Sequence, residues 1–62
     1  MNGDGANYLV EFITVGNSVK VCAVDPVSGR EVSIVGPASA SRTQLTKVAV
    51  DKLEYILAKE KS

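Results

Sequence analysis

Two runs dense in β-branched and aromatic residues, "YLVEFITV" (Tyr8 to Val15) and "SVKVCAVD" (Ser18 to Asp25), read as β-strands. Gly16-Asn17 lies between them. Glycine at the first position of a two-residue loop supplies the positive φ of a type II′ turn, so the pattern predicts a tight hairpin. A second turn follows in "DPVSGR", where Pro26 presets φ and Gly29 suits a left-handed closing position. The third run, "REVSIVG", ends at Pro37, which cannot donate to a strand ladder. Beyond it the periodicity changes. Leu45, Val48, Ala49, Leu53, Ile56 and Leu57 recur at three-and-four spacing, the stripe of an amphipathic helix. Ser41 with Gln44 three residues later has the form of a capping box.

These signals predict an α+β domain: strands at about 8–15, 18–25 and 30–36 in an antiparallel meander, packed on one helix at about 42–59. Loop lengths also set a register. With Gly16-Asn17 as the first loop, Thr14 faces Val19, Phe12 faces Val21 and Val10 faces Ala23. With residues 26 to 29 as the second, Ala23 faces Val32 and Val21 faces Ile34. One face then carries Val10, Phe12, Val19, Val21, Ala23, Val32 and Ile34, all apolar and all suited to the helix stripe. A slip of one residue would destroy that agreement, because side chains alternate between faces. The opposite face carries Leu9, Glu11, Ile13, Val15, Ser18, Lys20, Cys22, Val24, Glu31, Ser33 and Val35. Its aliphatic content exceeds that of an ordinary solvated sheet face, so Leu9, Ile13, Val15, Val24 and Val35 form a candidate partner interface.

Composition narrows the function classes. Sixty-two residues allow one core, and domains of this size often lean on self-association. Residues 1–7, rich in Gly and Asn, are expected to be a disordered leader to a single domain at 8–62. Seven basic and seven acidic side chains cancel, so no net field draws in nucleic acid or an anionic membrane. No apolar run is long enough to cross a bilayer, and the N-terminus lacks the marks of a signal peptide. With one cysteine and no histidine, the chain cannot build an internal disulfide, an imidazole-dependent triad or a four-ligand zinc site. A cytoplasmic location is expected.

Four features have some chemical content. The segment "GPASASR", Gly36 to Arg42, leads into a helix N-terminus, where free N–H groups can hold an anion. Ser39, Ser41 and Arg42 are the candidate contacts, although both the P-loop and the dinucleotide-binding spacings are missing. Cys22 stands opposite Glu11, which opposes thiolate formation. Glu11, Asp25 and Glu31 do not converge as a catalytic carboxylate pair must; Asp25 reads as a turn acceptor. Lys47, Asp51, Lys52, Glu54, Lys59, Glu60 and Lys61 mix both signs on the outer helix face, as a solvated surface does.

The stretches "EFITVGNSVKVCAVD", "GREVSIVGPASA" and "KLEYILA" resemble a family of short, functionally uncharacterised alphaproteobacterial proteins. The resemblance spans about Tyr8 to Leu57 and implies a small stand-alone α+β protein. It brings no activity, cofactor or catalytic residue. The expected function is therefore a non-enzymatic protein-interaction module, binding a protein partner or a second copy through the open sheet face. The alternatives are nucleic-acid binding by Lys20, Arg30, Arg42 and Lys47, which the charge balance disfavours, and a small anion at the helix N-terminus.

Overall fold

Gly16 and Gly29, the two turn glycines, have φ of 60° and 79°, the left-handed conformation that costs glycine least. Around them the chain forms three strands, β1 (Leu9–Val15), β2 (Ser18–Val24) and β3 (Glu31–Pro37), and a helix, α1 (Arg42–Lys61). The computed structural model describes residues 8–61, with side chains through residue 60; the expected leader at 1–7 lies outside them. The sheet is antiparallel in the order β1-β2-β3. Its register pairs Thr14 with Val19, Phe12 with Val21, and Val10 with Ala23. Ala23 pairs onward with Val32, and Val21 with Ile34. These are the pairs that the loop lengths require.

The second turn is organised by Asp25. Its carboxylate accepts the Val27 N–H at 3.1 Å and the Ser28 hydroxyl at 2.9 Å. Its carbonyl accepts the Gly29 N–H at 2.8 Å, and its own N–H donates to the Arg30 carbonyl at 2.8 Å. The side-chain bonds mimic a backbone turn, the usual work of aspartate at such a position.

The strand limits shift by one residue from expectation, and α1 continues past 59 to Lys61. The instructive shift is at Pro37, which lies inside β3 and not beyond its end. Ala38 N–H donates to the Asn17 carbonyl at 2.9 Å. Ser18 and Pro37 are thus a pair whose own N and O atoms point away from each other. Pro37 is on an edge strand with its nitrogen turned outward, so the ladder loses nothing.

The core comprises Val21, Ala23 and Val32 from the sheet and Leu45, Ala49 and Leu53 from the helix. Tyr8, Val10, Phe12, Val19, Ile34, Ala40, Ile56 and Leu57 pack half-buried around it. Val48, expected in the stripe, is instead half-exposed. Each helical residue turns about 100°, so Leu45 and Leu53 lie about 40° either side of Ala49, while Val48 lies about 100° away. Once Ala49 faces the sheet, Val48 cannot.

The helix lies over β2 and β3, not over the sheet's midline. It runs back along β3: Leu45 abuts Gly36, the Lys52 ammonium donates to the Ser33 carbonyl at 3.2 Å, and Arg30 pairs with Glu60. At about 1.5 Å per helical residue and about 3.4 Å per strand residue, a step of seven or eight along α1 matches three along β3. At Gly36 the two elements come close. A Cβ there would sit 2.6 Å from Leu45 Cδ2. Its φ is not positive, so the glycine supplies room, not an unusual backbone.

Gly36→Ala should therefore force the buried Leu45 to repack. Overpacking costs about 1–3 kcal/mol, against a gain of about 0.4–1 kcal/mol from a stiffer unfolded chain, leaving a net loss near 1 kcal/mol. In a Leu45→Ala background the same change should become neutral or stabilising. Urea unfolding of the four-member double-mutant cycle measures this; equal effects in both backgrounds would show that the contact is not limiting.

Candidate functional site

The face of the sheet turned away from α1 is built by alternation. On β1 it holds Leu9, Glu11, Ile13 and Val15, and the pairing arranges it in rows across the sheet. The first row is Leu9–Val24–Glu31, the second Glu11–Cys22–Ser33, the third Ile13–Lys20–Val35 and the last Val15–Ser18–Pro37. Leu9 is 61% exposed, Ile13 41%, Val15 68% and Val35 71%. Val24 is half-buried. No described element covers these side chains.

The five aliphatic residues do not form one patch. Lys20 stands between Ile13 and Val35, and the Glu11–Cys22–Ser33 row separates both from the Leu9–Val24 pair. The face is better described as two apolar spots, Leu9 with Val24 and Ile13 with Val15, plus Val35 beyond Lys20. Directly opposed Cβ atoms are about 5 Å apart and diagonal ones about 7–8 Å, so neighbouring rows still fall within a single partner's footprint. The interleaved Lys20 and Glu11 give the face polar handles of both signs. Sequence reading located the aliphatic positions but not this interruption, although the register itself contains the signal.

The helix N-terminus is arranged differently from an anion cradle. Ser41 Oγ accepts the Gln44 N–H at 3.0 Å, and the Ser41 carbonyl accepts the Leu45 N–H at 3.0 Å. The hydroxyl thus takes an orientation that an anion's oxygen would use. Arg42 turns from the helix end, its guanidinium 4.8 Å from the centre of the Phe12 ring. Cation–π attraction holds it over the inner face of β1. Ser39 is exposed in the turn between β3 and α1. The three candidate anion contacts therefore do not converge.

The remaining cations are dispersed. Arg30 pairs with Glu60, Lys47 with Asp51 at 3.1 Å, and Lys20 projects from the open face. Arg42 lies on the opposite side of the sheet from Lys20, so the four do not share one surface. Cys22 is half-buried between Glu11 and Ser33. At the far end of β1, the Tyr8 hydroxyl donates to Glu54 at 3.4 Å. Partial burial, and then the negative charges of Glu54 and Asp25, push the Tyr8 phenol above the usual tyrosine range.

A family model, Domain of unknown function (DUF6898), matches residues 5–60. The chain belongs to that family, whose description assigns no activity. No curated protein matches it, and no solved structure does. Among the described residues no helix is long and apolar enough to cross a membrane.

Two expectations follow from the local chemistry. Ser41→Ala should lower stability by about 1 kcal/mol through loss of the cap, read as a shifted urea midpoint with an unchanged slope. A phenol with a raised pKa holds its proton more tightly in the folded state. Its contribution is intact below about pH 10 and is lost as pH climbs beyond that point. Tyr8→Phe should flatten the alkaline fall in stability between pH 9 and 11 relative to the parent chain; unchanged curves would remove Tyr8 from that transition.

Proposed function

We propose that this domain is a non-enzymatic protein-interaction module that binds a protein partner through the open face of its sheet. The observation that supports the reading is the exposure of Leu9, Val15 and Val35 at 61%, 68% and 71% on a face that solvated antiparallel sheets normally keep polar. Helix α1 covers the opposite side, and among the described residues nothing lies over this one. A partner suited to it carries apolar side chains spaced to meet Leu9–Val24 and Ile13–Val15. An acidic group would answer Lys20, and a basic one Glu11. Affinity would come from the aliphatic spots, while the charges set orientation.

The test places a photo-crosslinking residue at Val24, at Val35, or at Gln44 on the exposed side of α1. Discrete adducts from the two sheet positions, absent from Gln44 and lost on Lys20→Glu, are the expected result. Labelling that is equal at all three sites, or absent from the sheet, would overturn the reading.

A further inference from the structure

The two edges of the sheet differ. Hydrogen bonds at both ends of the β2–β3 ladder, Ala38 to Asn17 and Asp25 to Arg30, set which residues of β2 bond to β3: Val19, Val21 and Ala23. The alternate residues of β2 therefore bond to β1, through Leu9, Glu11, Ile13 and Val15. The backbone N–H and C=O groups of Val10, Phe12 and Thr14 point outward from the edge. Among the described residues nothing bonds them. On β3 the corresponding outward positions are Glu31, Ser33, Val35 and Pro37. There Lys52 occupies the Ser33 carbonyl, and Pro37 has no N–H to offer. Proline and lysine are the usual guards of an edge strand. The strand β1, "LVEFITV", has neither.

We propose that the outer edge of β1 pairs antiparallel with β1 of a second copy, about a two-fold axis at Phe12, joining two three-stranded sheets into one. This rests on the reading of the chain as an interaction module, but it uses the sheet's edge and not its face. Three observations select a second copy as the occupant. A two-fold at Phe12 is the register that pairs Leu9 through Val15 completely with itself, and it makes hydrogen-bonding partners of the outward-facing residues: Phe12 with Phe12, and Val10 with Thr14. The neighbouring register, centred on Glu11, would set two carboxylates directly opposite, which is destabilising. In the Phe12 register Leu9 meets Val15 of the other chain, so two of the most exposed aliphatic side chains of the open face are brought together.

Charge is complementary as well. The third row of one sheet, Val35–Lys20–Ile13, continues into Glu11–Cys22–Ser33 of the other. Lys20 and the second chain's Glu11 then stand two strands apart, about 10 Å at 4.8 Å per strand, within reach of two long side chains. On the inner side the helix lies over β2 and β3, leaving Val10 and Phe12 half-buried. A second β1 covers them. The cost is the approach of two Arg42 guanidinium groups over the seam; both are exposed, so water and salt screen them.

Sedimentation equilibrium of the full chain, with hydrogen exchange at low and high protein concentration, tests the pairing. A dimer in the micromolar range is expected, with the amides of Val10, Phe12 and Thr14 protected only at high concentration. Thr14→Pro removes an outward N–H that the monomer does not use. It should weaken association about tenfold or more while leaving the circular dichroism unchanged. Glu11→Lys should weaken the dimer too, and Glu11→Lys combined with Lys20→Glu should restore it; this pair keeps the test informative if the proline disturbs folding. A chain that stays monomeric at hundreds of micromolar overturns the proposal. So does a dimer that is indifferent to Thr14→Pro but lost on Val35→Glu, since that outcome assigns self-association to the sheet face instead.

Discussion

The approach of α1 to β3 at Gly36 is the constraint on which the rest of the structure depends. A Cβ at position 36 would meet the Leu45 Cδ2 methyl at 2.6 Å, so the end of that side chain would have to turn aside. The absence of a Cβ lets the first turn of the helix settle onto the strand that leads into it. From there the match between helical and extended rise carries the two elements side by side, with Lys52 meeting the backbone at Ser33 and Glu60 meeting Arg30. The fully buried Ala23 and Ala49 suit the same geometry, since small side chains let a helix lie close to a pleated surface. Among the described residues, six make up the buried core.

The constraint has a consequence for symmetry. Because α1 follows β3, it cannot also cover β1, and the sheet is left with one guarded edge and one open one. The unevenness extends to both faces at β1. On the inner side Val10 and Phe12 are half-buried, with Arg42 drawn over the ring; on the outer side Leu9, Ile13 and Val15 stand exposed. Exposed aliphatic side chains and outward-facing backbone groups therefore coincide on β1.

Much of the architecture was legible in the residues, for a definite reason. Glycines at 16 and 29 and loops of two and four residues leave one register in which the helix-facing side is uniformly apolar. Other features depend on quantities that no linear pattern carries. Whether Pro37 ends a strand turns on which way its nitrogen faces, and that follows from the phase of the ladder. Val48 fits the helical spacing as well as its neighbours do, but the facing of Ala49 excludes it. The role of Gly36 is a distance to Leu45, nine residues on along the chain and in contact through space. At the candidate surface the aliphatic positions were visible from alternation alone. Their division by Lys20 and by the Glu11–Cys22–Ser33 row needed the rows to be laid out. The separation of Ser39, Ser41 and Arg42 needed the cation–π contact that draws Arg42 to β1.

The order of elements also bears on how the chain finds this structure. Each strand pairs with its neighbour in sequence, and the helix packs first on the strand just before it. Such a layout closes only short loops, and chains with predominantly local contacts fold quickly for their size. The shortest loop is Gly16-Asn17, which makes the β1–β2 hairpin the most local pairing in the chain. Strand β1 is joined to the rest by its ladder with β2, as extensive as the ladder between β2 and β3, and by the contacts of Tyr8 with Glu54 and of Phe12 with Arg42.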